Sequence, residues 1–195
     1  MKDKIKECAN KVKTVDYKLI SSYQYDFLGI EVYDAKLANG KVKRIERVLK
    51  DKSDGDAVII IPITKEGNYI IVVQSRPNIV DTGGVAIEFP AGMVDEGEEF
   101  EAAAKRELEE ETGYVCSGLK PIEWHYQDQG CSNAKIKTFL AMDCEKKSKQ
   151  HLDPGELLEP LEISLDDLMG LYDSNLMNDA GSRLALLSYL RKCNK

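Results

Sequence analysis

The spacing of apolar and polar positions changes several times along this chain, and each change marks an element. Residues 57–63 (AVIIIPI) and 69–74 (YIIVVQ) are nearly unbroken apolar runs joined by Lys65-Glu66-Gly67-Asn68, the pattern of a central hairpin buried on both faces. Before them, after a polar helical lead, residues 17–25 and 27–37 are rich in aromatic and β-branched side chains. The second run ends at Ala38-Asn39-Gly40, a hairpin signal that returns the chain through residues 41–49. The turn-rich stretch Asp51-Lys52-Ser53-Asp54-Gly55-Asp56 then predicts a boundary between a small antiparallel β module, residues 1–52, and a larger domain, residues 53–195.

A short strand is expected at 85–89, further strands at 117–126 and 134–143 around the loop 127–133, and a last strand at 157–163. Residues 146–156 are polar and charged and are expected to be mobile, while 165–172 and 180–192 have helical spacing. Residues 99–112 contain no glycine or proline and stop at Gly113, so they predict one helix. Its apolar side gathers Phe100, Ala103, Ala104 and Leu108. Strands and helices in this order predict an α/β fold whose sheet is not purely parallel.

Composition narrows the partners. A length of 195 residues with 43% hydrophobic content suits one domain with a small addition, and a formal charge of −7 disfavours nucleic acid and anionic membrane alike. The first fifteen residues lack the apolar run of a secretory signal and no stretch reaches the length of a membrane span, so a cytoplasmic location is expected. Cys8, Cys116, Cys131, Cys144 and Cys193 show no C-x-x-C spacing and read as free thiols. His125 and His151 fit no zinc pattern.

The predicted helix at 99–112 holds the candidate chemistry. Glu107, Glu110 and Glu111 stand three and four residues apart and so share one helical face. Their mutual repulsion, together with a position near the helix C-terminus where the dipole disfavours anions, calls for compensation. A hard divalent cation bound by carboxylate oxygens is the natural candidate, although a plain solvated acidic helix has the same spacing. Arg106 could fix one carboxylate by a two-point hydrogen bond.

Gly92, five residues, Glu98, seven residues, then Arg106-Glu107-Leu108-Glu109-Glu110-Glu111-Thr112-Gly113-Tyr114 resembles the complete signature of the Nudix hydrolases, with Tyr114 where an aliphatic residue is more usual. Gln74-Ser75-Arg76-Pro77, Glu88-Phe89-Pro90-Ala91-Gly92 and Asp128-Gln129-Gly130-Cys131-Ser132-Asn133 resemble landmarks of the ADP-ribose (ADP-sugar) pyrophosphatase branch. The resemblance implies a Nudix α/β/α sandwich with a mixed sheet, preceded by the small β module. It implies Mg²⁺ or Mn²⁺ bound by Glu107, Glu111 and the backbone carbonyl of Ala91, with Glu110 as a further ligand and Glu98 in support. It also implies a catalytic base on a later loop, for which Glu156 is the first candidate and Glu159 the second. Arg76, with Glu88 and Gly92 beside the site, would meet substrate.

Two departures stand out. Gln129 occupies a position where ADP-ribose hydrolases commonly carry proline, and three extra residues lie between Arg76 and Glu88. The implied reaction is hydrolysis of ADP-ribose or a related nucleoside diphosphate sugar, by a homodimer whose subunits exchange their leading modules. Another nucleoside diphosphate derivative, such as GDP-mannose or an oxidised nucleotide, and a nucleotide-sensing module without turnover are the competing readings. The intact set of Arg106, Glu107, Glu110 and Glu111 speaks against the sensor. Tyr23, Tyr25, Phe27 and Tyr33 could stack on a base or simply pack in their strands.

Overall fold

The Asn39-Gly40 turn closes as its sequence predicts, with Gly40 donating to the Leu37 carbonyl at 2.9 Å and Leu37 donating to Lys41 at 2.8 Å. A computed structural model describes residues 1–193, and their contacts divide them into two units: residues 1–55 with 126–134, and residues 56–125 with 135 onward. In the first unit, helix α1 (Lys2–Val12) precedes strands β1 (Thr14–Gln24), β2 (Leu28–Leu37) and β3 (Val42–Lys50), an antiparallel sheet in the order β1-β2-β3. The segment 126–134 joins this unit through a parallel bridge between Val48 and Ser132 and a hydrogen bond from Val48 to the Cys131 carbonyl, 2.8 Å. Ala35 and Leu49 are buried here, but Tyr17, Leu19, Tyr23, Tyr25, Phe27 and Leu28 are each at least half exposed.

The second unit is an α/β/α sandwich. Its strands are β4 (Ala57–Thr64), β5 (Tyr69–Ser75), β6 (Val85–Glu88), β7 (Ala91–Met93), β8 (Tyr114–Val115), β9 (Gly118–Tyr126), β10 (Lys135–Lys146) and β11 (Leu158–Ile163). Helix α2 (Phe100–Thr112) follows β7, and α3 (Leu165–Asp173) and α4 (Ala180–Cys193) follow β11. Strand order runs β11-β5-β4-β10-β8, and β4 is parallel to β10 but antiparallel to β5, so the sheet is mixed. Alternation along β4 accounts for the apolar run: Val58 and Ile60 pack with Ala103, Ala104 and Leu108 of α2, while Ile59 and Ile61 pack with Leu168 of α3 and Ala185 and Leu186 of α4.

The central hairpin is less regular than a continuous ladder. Strands β4 and β5 pair only at Ile63 and Tyr69, after which β7 takes the edge of β4 and β6 takes the edge of β5. Phe89 and Pro90 bridge the split, with Phe89 fully buried and Ile60 donating to the Pro90 carbonyl at 2.9 Å. The split seats Ala91 and Gly92 beside α2.

The stretch expected to be mobile is instead ordered at its start. Lys146 ends β10, and residues 147–151 wrap the C-terminus of α2: Lys147 and Ser148 donate to the Gly113 carbonyl at 2.9 and 3.1 Å, and His151 donates to the Glu110 carbonyl at 2.8 Å. The last carbonyls of a helix have no partner within it, so polar chain passing close by can satisfy them. Gly113 makes the approach feasible. Its φ is 75°, and a side-chain carbon there would collide with the Ser148 carbonyl oxygen.

Candidate active site

Helix α2 presents its acidic side chains in three different states. Glu111 is buried and its carboxylate accepts a hydrogen bond from the Ala91 N–H at 3.0 Å. Glu107 is mostly covered and lies against Gly92, where any side-chain carbon would collide with its carboxylate. Glycine at 92 is therefore the condition for Glu107 to sit there. Glu110 keeps 42% of its side chain exposed and turns to Arg106. The shared helical face brings Glu107 and Glu111 together as expected, while Glu110 lies on the outer side of Glu107 and shares the Arg106 Nη1 with it. Among the described residues, no three side chains of His, Cys, Asp or Glu already converge at cation-holding distance.

Arg106 organises the region more extensively than a single two-point bond. Its Nε and Nη2 donate to the two Glu98 oxygens at 3.0 and 2.8 Å, its Nη1 donates to Glu107 at 2.8 Å and to Glu110 at 3.0 Å, and Nη2 also reaches the Met93 carbonyl at 2.9 Å. Five donors in a rigid plane match this spread of acceptors, which an ammonium could not do. The Glu98 contact holds the Arg106 pKa above its ordinary value and depresses that of Glu98. Glu98 also accepts from the Asp95 N–H at 3.1 Å, so it anchors the loop entering the helix. Helix α2 starts at Phe100 with Glu99 as N-cap, and no side chain caps it there.

Burial dominates the protonation of the inner pair. It pushes the Glu107 pKa to about 7, with Glu110 and Glu156 adding repulsion and Arg106 working the other way. It pushes Glu111 to about 8, where the Ala91 N–H opposes the shift and Glu107 and Glu156 reinforce it. Two carboxylates held together out of water are stable as anions only beside positive charge, and hard oxygen donors suit a divalent cation. The residues present therefore fit the group that the sequence implied.

Glu156 is near enough to both inner carboxylates to add to their repulsion. It is exposed, at the end of a tight turn in which Asp153 donates to its carboxylate at 3.1 Å and its own N–H returns to the Asp153 carbonyl at 3.0 Å. Glu159, the second candidate, sits within β11 opposite Val73. Arg76 donates through Nε and Nη2 to Glu88 at 3.3 and 2.8 Å, and 45% of its side chain remains exposed. Burial lowers the Arg76 pKa, yet Glu88, Glu111 and Asp179 outweigh it and hold the guanidinium charged. The extra residues before Glu88 fold into a closed loop: Val80–Thr82 make a 3-10 turn and Arg76 donates to the Gly84 carbonyl at 2.7 Å.

Sequence reasoning missed Gln150, whose side-chain amide donates to the Glu111 carbonyl at 2.7 Å and to the Leu158 carbonyl at 3.3 Å. No periodicity marks a lone glutamine in a polar stretch. In the first unit, Tyr33 is committed to Glu31 at 2.6 Å and to the Arg47 guanidinium, 4.7 Å above its ring, so it packs in its sheet. Asp128 accepts from the Gly130 N–H at 2.8 Å, which closes the loop around Gln129 without a proline.

Residues 54–183 match the family model of the NUDIX domain. The chain is 35% identical over 179 residues to an ADP-ribose pyrophosphatase of Bacillus subtilis, covering 90% of this chain and 93% of that one. It is 30% identical over 178 residues to a GDP-mannose pyrophosphatase of Salmonella arizonae, covering 89% and 91%. A crystal structure of an ADP compounds hydrolase shares the fold with a TM-score of 0.75 at 23% identity, covering 94% of this chain and 95% of that one.

Proposed function

The chain belongs to the NUDIX domain family as a Nudix hydrolase, and from that premise we propose that it cleaves the pyrophosphate of a nucleoside diphosphate sugar, ADP-ribose foremost, giving AMP and a sugar phosphate. The observation that carries this reading is the buried pair Glu107 and Glu111, which Glu156 is near enough to repel. Glu107, Glu111 and the Ala91 carbonyl would hold Mg²⁺ or Mn²⁺, and Glu110 becomes available as a ligand once it leaves Arg106. Such a cation, when bound, neutralises diphosphate oxygens and makes a water more acidic.

The chain's own residues supply the rest. Arg106 keeps Glu107 in place from behind, so that the carboxylate need not reorganise when substrate arrives. Arg76, fixed by Glu88 and still half open, meets the anionic substrate with charge-assisted hydrogen bonds. Glu156 takes the proton of the attacking water as the new P–O bond forms and the bridging P–O bond breaks. As an exposed carboxylate outside the buried pair, it is placed to accept a proton while the inner carboxylates serve as ligands.

In a screen of nucleoside diphosphate sugars with Mg²⁺, ADP-ribose is expected to give the highest kcat/KM, measured as release of the nucleoside monophosphate. The similarity to the Salmonella arizonae enzyme over nearly the whole chain supports GDP-mannose as the alternative. Faster turnover of GDP-mannose would transfer the assignment to it, and tight binding of ADP-ribose without product would support a sensor.

We also assign a homodimer and a cytoplasmic location. The apolar side chains left exposed on β1 and β2 support a second copy as their cover, and five free cysteines support a reducing compartment. No helix among the described residues is long and apolar enough to cross a membrane. Sedimentation at micromolar concentration is expected to show a dimer, and Tyr23→Glu with Leu28→Glu to shift it toward monomer; a wild-type monomer would refute the assembly.

A further inference from the structure

The Glu156 loop is exposed over most of its length, from His151 to Leu157, with only Leu152 partly covered. An exposed loop of this kind samples many conformations unless its stems are fixed, and a proton acceptor has to stay within hydrogen-bond reach of its water. Its two stems are fixed here. On the entering side His151 donates to the Glu110 carbonyl at 2.8 Å, and on the leaving side Ser75 donates to the Leu157 carbonyl at 2.9 Å. Between them, the Gln150 amide donates one bond to the Glu111 carbonyl at 2.7 Å and another to the Leu158 carbonyl at 3.3 Å.

We propose that Gln150 is a positioning residue: its amide braces the base of the Glu156 loop to the last turn of the ligand-bearing helix, setting Glu156 at its working distance from Glu107 and Glu111. A primary amide has two N–H donors on one nitrogen, and here it donates to two carbonyls, one in the last turn of α2 and one at the start of β11. One of those carbonyls belongs to Glu111 itself, in the helical turn whose carbonyls have no partner within the helix. The brace thus ties the backbone at Glu111 to the stem of the Glu156 loop, and Gln150 acts through these two carbonyls.

The inference rests on Glu156 being the base, and a double-mutant cycle separates the two claims. The full chain with Mg²⁺ and ADP-ribose, or GDP-mannose should the screen favour it, is measured as Gln150→Met, Glu156→Gln and the double variant. Gln150→Met is expected to lower kcat by about 10- to 100-fold with KM changed by less than about threefold. In the Glu156→Gln background the same substitution should cost less than about twofold, because residues that act as a unit are not additive. Amide exchange at residues 151–157 should quicken in Gln150→Met while the Tm moves little. Gln150→Glu, which keeps the length but has no donor, serves if the methionine variant does not fold.

Equal losses of kcat in both backgrounds would overturn the inference, since the glutamine would then act on the helix alone. Full activity of Gln150→Met beside a crippled Glu156→Gln would overturn it while leaving the base assignment intact. Undiminished activity of Glu156→Gln would remove the base assignment and the inference with it.

Discussion

Glu111→Gln is expected to cut kcat by about a thousandfold while the fold survives, measured as AMP release beside circular dichroism and a thermal melt. Glutamine keeps the shape of the carboxyl group and an oxygen to accept the Ala91 N–H, so the packing around position 111 has no reason to change. What it loses is the anion that a divalent cation requires. The variant should also be more stable than the parent without metal, with Tm raised by about 5 °C at pH 8, because a neutral amide replaces a group that burial makes unwilling to ionise. A stable but inactive protein separates loss of chemistry from loss of structure. Retention of a tenth or more of the activity would end the assignment of Glu111 as a ligand.

The second large effect is a metal-dependent change of stability with pH. Glu107 and Glu111 have folded pKa values of about 7 and about 8, above the ordinary carboxylate value of 4.5. Below pH 4.5 both groups are protonated in folded and unfolded chains alike, and they cost nothing. As pH rises through the window from 4.5 to 8 the unfolded chain releases these protons first, so the folded state binds more of them and its stability falls. Glu31 and Glu98 are shifted the other way, by Tyr33 and Arg106 respectively, and change their contribution only at lower pH.

In EDTA the melting temperature should therefore fall between pH 5.5 and pH 8. Millimolar Mg²⁺ should raise it more at pH 8 than at pH 5.5, by about 5 °C in the difference, since the cation binds the deprotonated pair. A Mg²⁺ effect that is equal at the two pH values, or larger at the lower one, would contradict the buried pair as the binding site.

Much of this site could be read from the residues. The helix was legible because Ala103, Ala104 and Leu108 fall on one side and Gly113 ends it, and those three side chains are now fully buried against the sheet. Arg106 was legible as an organiser because only a guanidinium can serve several carboxylates, although its bond to Glu98, eight residues away, needed the entry loop in place. Helical spacing put Glu110 beside Glu107 and Glu111 but could not say that its side chain would choose Arg106, because exposure at position 110 leaves that choice to local competition. The pairing of β4 with β5 at one position only was hidden as well: two apolar runs flanking a turn read as a full hairpin, and the intrusion of β6 and β7 depends on long-range pairing. The ordering of residues 147–151 was missed for a related reason. Polar chain that satisfies helix carbonyls has no hydrophobic period to reveal it.

All the hydrogen-bond partners of Arg106, Glu111 and Gln150 described above come from residues 56–125 and 135–195. The loop around Gln129 and the exposed strands β1 and β2 lie in the other set of residues. Substitutions there leave these hydrogen bonds of the acidic helix intact, so the bracing of the helix and the surface carried by residues 1–55 and 126–134 can be altered one without the other.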